Sequence, residues 1–214
     1  RGKREQSIND AIETMGRIFS GVHGKLVNLC KPIQKKYSQA IATAAGKHMD
    51  AIVVESKQVA SECIRYLKDQ RVGTCSFLPL DNIVNKPVPD RLRSLGTRYR
   101  VGVDLVECED RFRSAVSYAI GSTIICDTLE DAQHLGFNMG ERVKIVTLNG
   151  HVISKAGAMT GGSIGRDAHR DKWEDREVDE LKRQRGLLET QLAEARREAP
   201  NRQSLVELET RYKN

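Results

Sequence analysis

The sequence predicts an α+β protein, in which a body of two similar subdomains, each a small sheet with flanking helices, sits on an antiparallel coiled-coil stub. Three observations support this prediction: heptad-like spacing of apolar residues in both flanks, a weak internal repeat between them, and a hairpin signal after the second copy. The chain has 214 residues, 39% of them hydrophobic, which is enough to bury a core of its own.

The first flank, residues 1–19, is predicted to be a helical arm. Its apolar residues recur at spacings of 4, 3 and 4, at Ile8, Ile12, Met15 and Phe19. This alternation is typical of a coiled-coil seam. An ordinary amphipathic helix lying on the body would show the same spacing, so both alternatives stay open.

The last flank, residues 166–214, is predicted to be the second arm. Its apolar residues alternate at steps of three and four, with Arg185 in one position of the seam: Val178, Leu181, Leu188, Leu192, Ala195 and Ala199. Pro200 is expected to kink or end this helix, because proline removes a backbone donor and clashes with the preceding turn. The chain enters the body along one arm and leaves along the other, so their pairing would be antiparallel.

Two segments of the body resemble each other, residues 37–60 and residues 112–132. Each reads as a helix, a glycine that ends it, a strand of consecutive apolar residues, and a Ser or Thr that caps the next helix. The matched pairs are Gly46 with Gly121 and Ser56 with Thr128. We interpret the repeat as a duplication, with chance similarity as the alternative, and place the first subdomain at 20–90 and the second at 91–165.

A hairpin is predicted where residues 143–148 run into Asn149-Gly150 and then into residues 151–154, since Asn-Gly between strand-like runs is a strong turn signal. Residues 78–93 contain three prolines and are predicted to connect the two subdomains. Glycines crowd the segment after the hairpin, at Gly157, Gly161, Gly162 and Gly165. They fit either a flexible linker or a sheet edge on which a partner's backbone docks.

No catalytic, cofactor or metal site is predicted. Two segments with P-loop glycine spacing lack the lysine that must follow, and no histidine pair has a zinc-binding spacing. The five cysteines form no CxxC pair, which argues against a zinc site and favours a reducing compartment. No apolar run approaches the roughly 18 residues of a membrane-spanning helix, and no signal peptide is visible.

The order of these features resembles the hinge domain of SMC (structural maintenance of chromosomes) proteins. The motifs that carry the resemblance are AAGKHMDAIVVES (44–56), SFLPLDNI (76–83), YAIGSTIICDTLEDA (118–132), VTLNGHVISKAGAMTGGS (146–163) and KWEDREVDELK (172–182). The last motif and FLPLD resemble SMC subunit one of cohesin more than the other eukaryotic SMC subunits. The ATPase heads of such proteins lie far along the coils, so the resemblance implies no enzyme here.

The resemblance implies a doughnut-shaped dimer with a partner hinge, that of cohesin's other SMC subunit, in the nucleus and on chromosomes. Pairing would close a ring that holds sister chromatids or organises chromosomes. For the isolated chain, a homodimer and a monomer both stay open. Two contact zones are expected, whose residues are Phe77, Leu78 and Ile83 in the first, and Lys155, Gly157, Met159, Gly161 and Gly162 in the second.

Positive charge is concentrated in the body, which permits a weak attraction to nucleic acid or to an acidic partner. Residues 1–16 and residues 166–214 each contain equal numbers of basic and acidic residues, so the net charge of +6 belongs to residues 17–165. The resemblance implies non-specific, salt-dependent DNA contact, for which the candidates are Lys25, Lys31, Lys35, Lys36, Arg98 and Arg100. Two alternative functions stay open. One is a module that primarily binds DNA and dimerises only secondarily, and the other is an enzyme with an unrecognised site.

Overall fold

The computed structural model describes residues 3–161 and 172–212, which form eight helices and ten strands. The chain divides into two compact units, Arg1–Lys172 and Trp173–Asn214. The first unit contains the body together with the first helix. The second consists of the last helix.

The elements follow the chain in mixed order. The helices are α1 (Lys3–Ile18), α2 (Leu26–Leu29), α3 (Ser38–Ala45), α4 (Lys57–Asp69), α5 (Asp90–Arg93), α6 (Arg113–Ile120), α7 (Leu129–Gln133) and α8 (Lys172–Tyr212). The strands are β1 (Val22–Lys25), β2 (Cys30–Pro32), β3 (Ile52–Val54), β4 (Phe77–Pro79), β5 (Arg100–Val101), β6 (Val106–Cys108), β7 (Ile124–Cys126), β8 (Ile145–Thr147), β9 (Val152–Ile153) and β10 (Met159–Thr160). They form three sheets, β1-β3-β4, β10-β9-β8-β7-β5 and β2-β6.

The internal repeat appears in the structure as a repeated topology. In the first copy, β3 pairs antiparallel with β1 and parallel with β4. In the second copy, β7 pairs antiparallel with β5 and parallel with β8. The central strands β3 and β7 are buried at every position, as consecutive apolar residues predict. The second sheet differs by continuing through β9 to β10.

Matching residues end the first helix of each copy and begin the next. Gly46 and Gly121 follow α3 and α6 with φ angles of +55° and +61°, a conformation that glycine adopts without a steric penalty. The hydroxyl of Ser56 accepts a hydrogen bond from the Val59 amide at 3.3 Å. The hydroxyl of Thr128 accepts one from the Asp131 amide at 3.1 Å. The predicted helix caps are therefore confirmed in both copies.

Several contacts join the two copies, among them a sheet, a pair of helices and a lysine. Strands β2 and β6 pair antiparallel, and α3 packs against α6. The Lys144 ammonium, beside β8, donates hydrogen bonds to the carbonyl oxygens of Thr43 at 3.3 Å and Ala44 at 2.8 Å. These carbonyls lie in the last turn of α3, where no helical amide is available to them. The ammonium therefore completes the end of a helix in the other copy.

The last turns of α1 lie on the body. Ala11 and Met15 are buried in one apolar cluster with Ile52 and Val54 of β3, and Phe19 packs against it. The amphipathic alternative therefore holds for this part of the first flank. Pairing between the two arms stays a prediction.

Helix α8 continues through Pro200 to Tyr212, so of the two outcomes expected at this proline, the end of the helix is wrong and a kink stays a prediction. A proline removes one hydrogen bond from a helix, while the turns on either side keep theirs. Within the described part of α8, the predicted seam residues are about half exposed or more: Val178, Leu181, Leu188 and Leu192. No helix in the described ranges is long and apolar enough to cross a membrane.

The predicted hairpin is present, with a longer loop than expected. Strands β8 and β9 pair antiparallel, and the loop between Thr147 and His151 contains Leu148 as well as Asn149-Gly150. Gly150 has a φ of +81° and its amide donates to the Thr147 carbonyl, the geometry of a three-residue hairpin loop. The predicted connection at 78–93 is also more ordered than expected, because β4 begins it and α5 ends it.

The two helix caps give a test of the repeat. Ser56→Ala and Thr128→Ala should each lower the free energy of unfolding by about 1 kcal/mol, because each leaves a helix-start amide without its acceptor. Ser61→Ala in the exposed middle of α4 is the control and should change little. Urea unfolding followed by circular dichroism measures all three. If Ser61→Ala lowered the free energy of unfolding as much as the two cap variants do, the assignment of Ser56 and Thr128 as helix caps would be contradicted.

Candidate partner interface

The first predicted contact segment is the outer strand of its sheet. Strand β4 pairs with β3 along one edge, and among the described residues no strand pairs with its other edge. The pairing continues beyond the strand, since the Leu80 amide donates to the Val54 carbonyl at 2.9 Å. The outer edge of β4 therefore presents backbone groups to which a further strand can add.

The side chains of β4 divide between its two faces. Leu78 exposes only 5% of its surface, so it offers a partner little area. Phe77 is half-buried and packs against the apolar cluster of α1 and β3. A substitution at Phe77 would therefore disturb the body as well as any interface.

A turn positions Ile83 just after β4. The Asn82 amide donates to the Pro79 carbonyl at 3.1 Å. The Asp81 carboxylate accepts a hydrogen bond from the Lys57 amide at 2.9 Å, at the first residue of α4, where an anion is favoured by the helix dipole. Ile83 is half-buried and follows this fixed turn.

The second predicted contact segment is also an outer strand. Strand β10 pairs only with β9 among the described residues, with Met159 opposite Ile153. Met159 is 46% exposed. A tight turn leads into the strand, in which the Gly157 amide donates to the Ser154 carbonyl at 2.9 Å. Gly157 has a φ of +89°, which requires a glycine, and exposed Lys155 lies at the tip of this turn.

Gly161 lies against a side chain that the structure holds in place. A Cβ at this position would lie 2.7 Å from Cδ2 of His151. The His151 ring lies with Nδ1 3.1 Å from the hydroxyl of Thr147, and its backbone amide donates to the same hydroxyl. A side chain at 161 would therefore have to displace this ring. Gly162, also predicted to contact the partner, lies outside the described residues.

Two exposed apolar residues escaped the sequence analysis, and one of them, Phe137, lies beside the turn before β10. Phe137 and Met139 are each 48% exposed, and Cε1 of Phe137 lies 3.8 Å from the place a Cβ on Gly157 would occupy. A π-helical turn at His134–Asn138 carries Phe137 out of the α7 pattern. The signal in the sequence that could have identified Phe137 was an aromatic residue between a helix and a strand.

Most of the predicted DNA-contact residues have partners. Three form ion pairs: Lys31 with Glu107 at 3.2 Å, Arg98 with Asp131 at 3.6 Å and Arg100 with Asp127 at 2.9 Å. Such pairs reduce the positive field that a phosphate would meet.

The remaining candidates lie on or near the first copy. The Lys25 ammonium donates to the Asn9 side chain at 2.7 Å. The ammonium of Lys36 and the guanidinium of Arg100 both lie by the ring of Tyr37, at 4.9 Å and 5.8 Å from its centroid, within range of a cation–π interaction. Lys35 precedes this ring and is exposed.

A different set of basic residues lines a cavity of about 400 Å³ at the ends of α3 and α6. Its basic residues are Lys47, His48, Lys144 and Lys155, and no carboxylate lines it. Burial, followed by the charges of Lys47 and Lys144, lowers the pKa of His48. Burial also lowers the pKa of Lys144. The lowered pKa reduces the positive charge on His48, so the preference of the cavity for an anion depends on its lysines and on the absence of a carboxylate from its lining. In the described ranges, no three His, Cys, Asp or Glu residues lie together as metal ligands would.

In the described residues, the two larger sheets of the duplicated body have open outer strands, β4 and β10 among them. Such a body belongs to a class of modules suited to association through sheet edges. The chain belongs to the SMC hinge family, since residues 19–136 match the SMC proteins Flexible Hinge Domain. This domain is a structural dimerisation module and not a catalytic domain.

Relatives and solved structures agree with this family. The chain is 41% identical over 191 residues to Structural maintenance of chromosomes protein 1 of Arabidopsis thaliana, covering 89% of this chain and 16% of the relative. An asymmetric dimer of the Geobacillus stearothermophilus SMC hinge domain is 29% identical with a TM-score of 0.65, covering 91% of this chain and 86% of that one. A structure of the folded elbow of cohesin is 37% identical with a TM-score of 0.66, covering 95% and 30%.

The contact between Gly161 and His151 can be tested by a double-mutant cycle. Gly161→Ala should lower the free energy of unfolding by about 1 kcal/mol, because the new methyl group displaces the His151 ring. The same change in a His151→Ala background should cost less, since the ring is gone. Gly16→Ala, at an open helical position, controls for the general effect of replacing glycine. Equal losses in both backgrounds, measured by thermal unfolding, would contradict the contact.

Proposed function

We propose that this chain is the dimerisation hinge of a cohesin SMC subunit, which pairs with the hinge of the other SMC subunit. The single observation that carries the proposal is that both predicted contact segments are the outer strands of their sheets. Pairing of the two hinges would close a ring that holds sister chromatids or organises chromosomes. The names of the relatives support the chromosomal role, and the proposed location is the nucleus.

The pairing we infer is reciprocal. Strand β4 of this chain would add to the sheet edge of the partner's second copy, and β10 would add to the edge of the partner's first copy. Each contact would satisfy backbone groups that one chain leaves unpaired. Two contacts between the same two bodies bind more tightly than one, because the second forms within an existing complex.

Apolar side chains beside the two edges would supply much of the affinity. Ile83 flanks β4, and Met159 lies on β10 with Phe137 near the turn before it. Residues of this kind become anchors when a partner removes them from water. Leu78 contributes mainly to the body, since it is already buried.

Substitutions at these anchors test the proposal. Ile83→Arg and Met159→Arg should each weaken binding to the hinge of cohesin's other SMC subunit about tenfold or more, because each places a charge in a desolvated contact. The double variant should abolish the complex, since it removes both zones. Light scattering establishes the one-to-one mass, and isothermal titration calorimetry gives the affinities.

Ile64→Arg is the control, because Ile64 is 54% exposed on α4 and belongs to neither predicted contact segment. It should bind as the unaltered chain does. Normal binding by the double variant would contradict the edge contacts. A tight homodimer that ignores the partner hinge would contradict the heterodimer.

A weak, non-specific DNA contact is the second part of the proposal. The cationic cavity at the ends of α3 and α6 supports it, since four basic residues line that cavity without a carboxylate. Several of the cations singled out in the sequence are paired with carboxylates instead. We therefore infer that phosphate contacts favour the cavity over those paired residues.

A matched pair of charge-removing variants tests this inference. Lys47→Gln should weaken binding to a short DNA duplex about threefold at low salt. It should also reduce the slope of log affinity against log salt concentration by roughly one. Lys31→Gln removes the same charge from an ammonium that Glu107 already partners, so it should change less. Fluorescence anisotropy across a salt series measures both. An equal or larger effect for Lys31→Gln would favour the sequence-predicted surface.

A further inference from the structure

Two cysteines from different copies of the repeat face each other across the β2-β6 sheet. Cys30 and Cys108 are direct partners in this antiparallel register, although 78 positions separate them in the sequence. Both are thiols in this structure. A side chain in such a pair points to the same face as its partner.

The hydrogen-bond pattern shows which kind of pair they form. The Ile33 amide donates to the Leu105 carbonyl at 2.9 Å, so these two residues form a hydrogen-bonded pair. Pairs alternate along an antiparallel ladder, and Cys30–Cys108 lies three steps away. It is therefore a non-hydrogen-bonded pair, with Cα atoms about 4.5 Å apart. Disulfides span Cα separations of about 4.4–6.8 Å.

The faces of the sheet place both thiols inward. Lys31 and Glu107, the next pair along, form an ion pair at 3.2 Å on the exposed face. Side chains alternate along a strand, so the cysteines lie on the opposite face. Cys30 is 5% exposed and Cys108 is half-buried, so a small oxidant can reach the second thiol.

We propose that Cys30 and Cys108 form a reversible disulfide that locks the two copies together when the protein meets a peroxide. The Cys108 thiolate attacks one peroxide oxygen, which gives a sulfenic acid and releases water after protonation. The Cys30 sulfur then attacks the sulfenic sulfur and releases a second water. The two thiols lose two protons and two electrons, and the peroxide gains them. A dithiol reductant reverses the reaction by exchange.

The surroundings keep the pair reduced under ordinary conditions. Burial raises the pKa of Cys108, an effect that Arg113 opposes and that Asp110 and Glu109 reinforce. Thiolate is therefore scarce, and a mild oxidant reacts slowly. The Cys30 thiol donates to the Leu26 carbonyl at 3.3 Å, a weak hydrogen bond that rotation of the side chain would break at little cost.

The bond would strengthen a junction that already exists. It would close a long loop between the copies, which restricts the unfolded chain strongly. The oxidised protein should therefore unfold about 5 °C or more above the reduced protein. Both sheet edges stay exposed, so pairing with another hinge should persist after oxidation.

The experiment treats the purified chain with excess hydrogen peroxide, blocks remaining thiols, and digests with trypsin without reductant. We expect the peptide LVNLCKPIQK to appear linked to VGVDLVECEDR, each of which contains a single cysteine. Dithiothreitol should separate the two and lower the unfolding temperature again. Cys108→Ser should abolish both changes, and its folding is verified by circular dichroism.

Cys75→Ser is the matched control, since Cys75 is also half-buried, and it should leave the linked peptide unchanged. Both target thiols staying open to alkylation while Cys75 is oxidised would overturn the proposal. So would a bond between Cys108 and any other cysteine, including that of a second molecule on a non-reducing gel. A linked peptide without a rise in the unfolding temperature would overturn the locking role.

Discussion

The unpaired backbone edges of β4 and β10 are the constraint on which the rest of the structure depends. Amide and carbonyl groups along a strand need partners, and in the described part of the chain each of these strands has a neighbour on one side only. Both are short, and Pro79 sits in β4, features that limit indiscriminate pairing at an edge. Such edges are poor templates for a random strand and good ones for a partner that offers two matching edges at once.

The need to engage two edges of one partner at once gives a physical reason for the duplication. Two edges engage one partner together only if their spacing is fixed, and the copies are fixed to each other by the β2-β6 sheet, the packing of α3 on α6 and the Lys144 hydrogen bonds. The extra strands β9 and β10 extend the second sheet beyond the pattern of the first. The two copies are therefore alike in their centres and different at their edges, where a reciprocal contact needs two complementary surfaces.

Local patterns explain what could be predicted from the sequence. The helix caps, the hairpin and each unit of the repeat depend on residues close together in the chain. Ser56, for example, accepts a hydrogen bond from the amide of Val59, three positions later. The missed features depend on distant neighbours. Strand β4 has three residues, one of them proline, and becomes a strand only because β3 lies beside it. Lys144 reads as a surface lysine until the end of α3 is placed next to it. The exposure of Phe137 depends on a π-helical turn, which shifts the register of the helix that precedes it.

The contrast between neighbours in the chain and neighbours in the fold also applies to the charged residues. Clustering along the chain singled out Lys31, Arg98 and Arg100, yet folding brings a carboxylate to each of them. Lys47 and Lys155 come from different copies and show no clustering in the sequence, but they line one cavity without an acidic neighbour in its wall. The field that a phosphate meets depends on charges within about 10 Å, the screening length at moderate salt. If the body contacts DNA as proposed, its net charge would govern the attraction from a distance, while the pairing of individual cations would determine where a phosphate can stay.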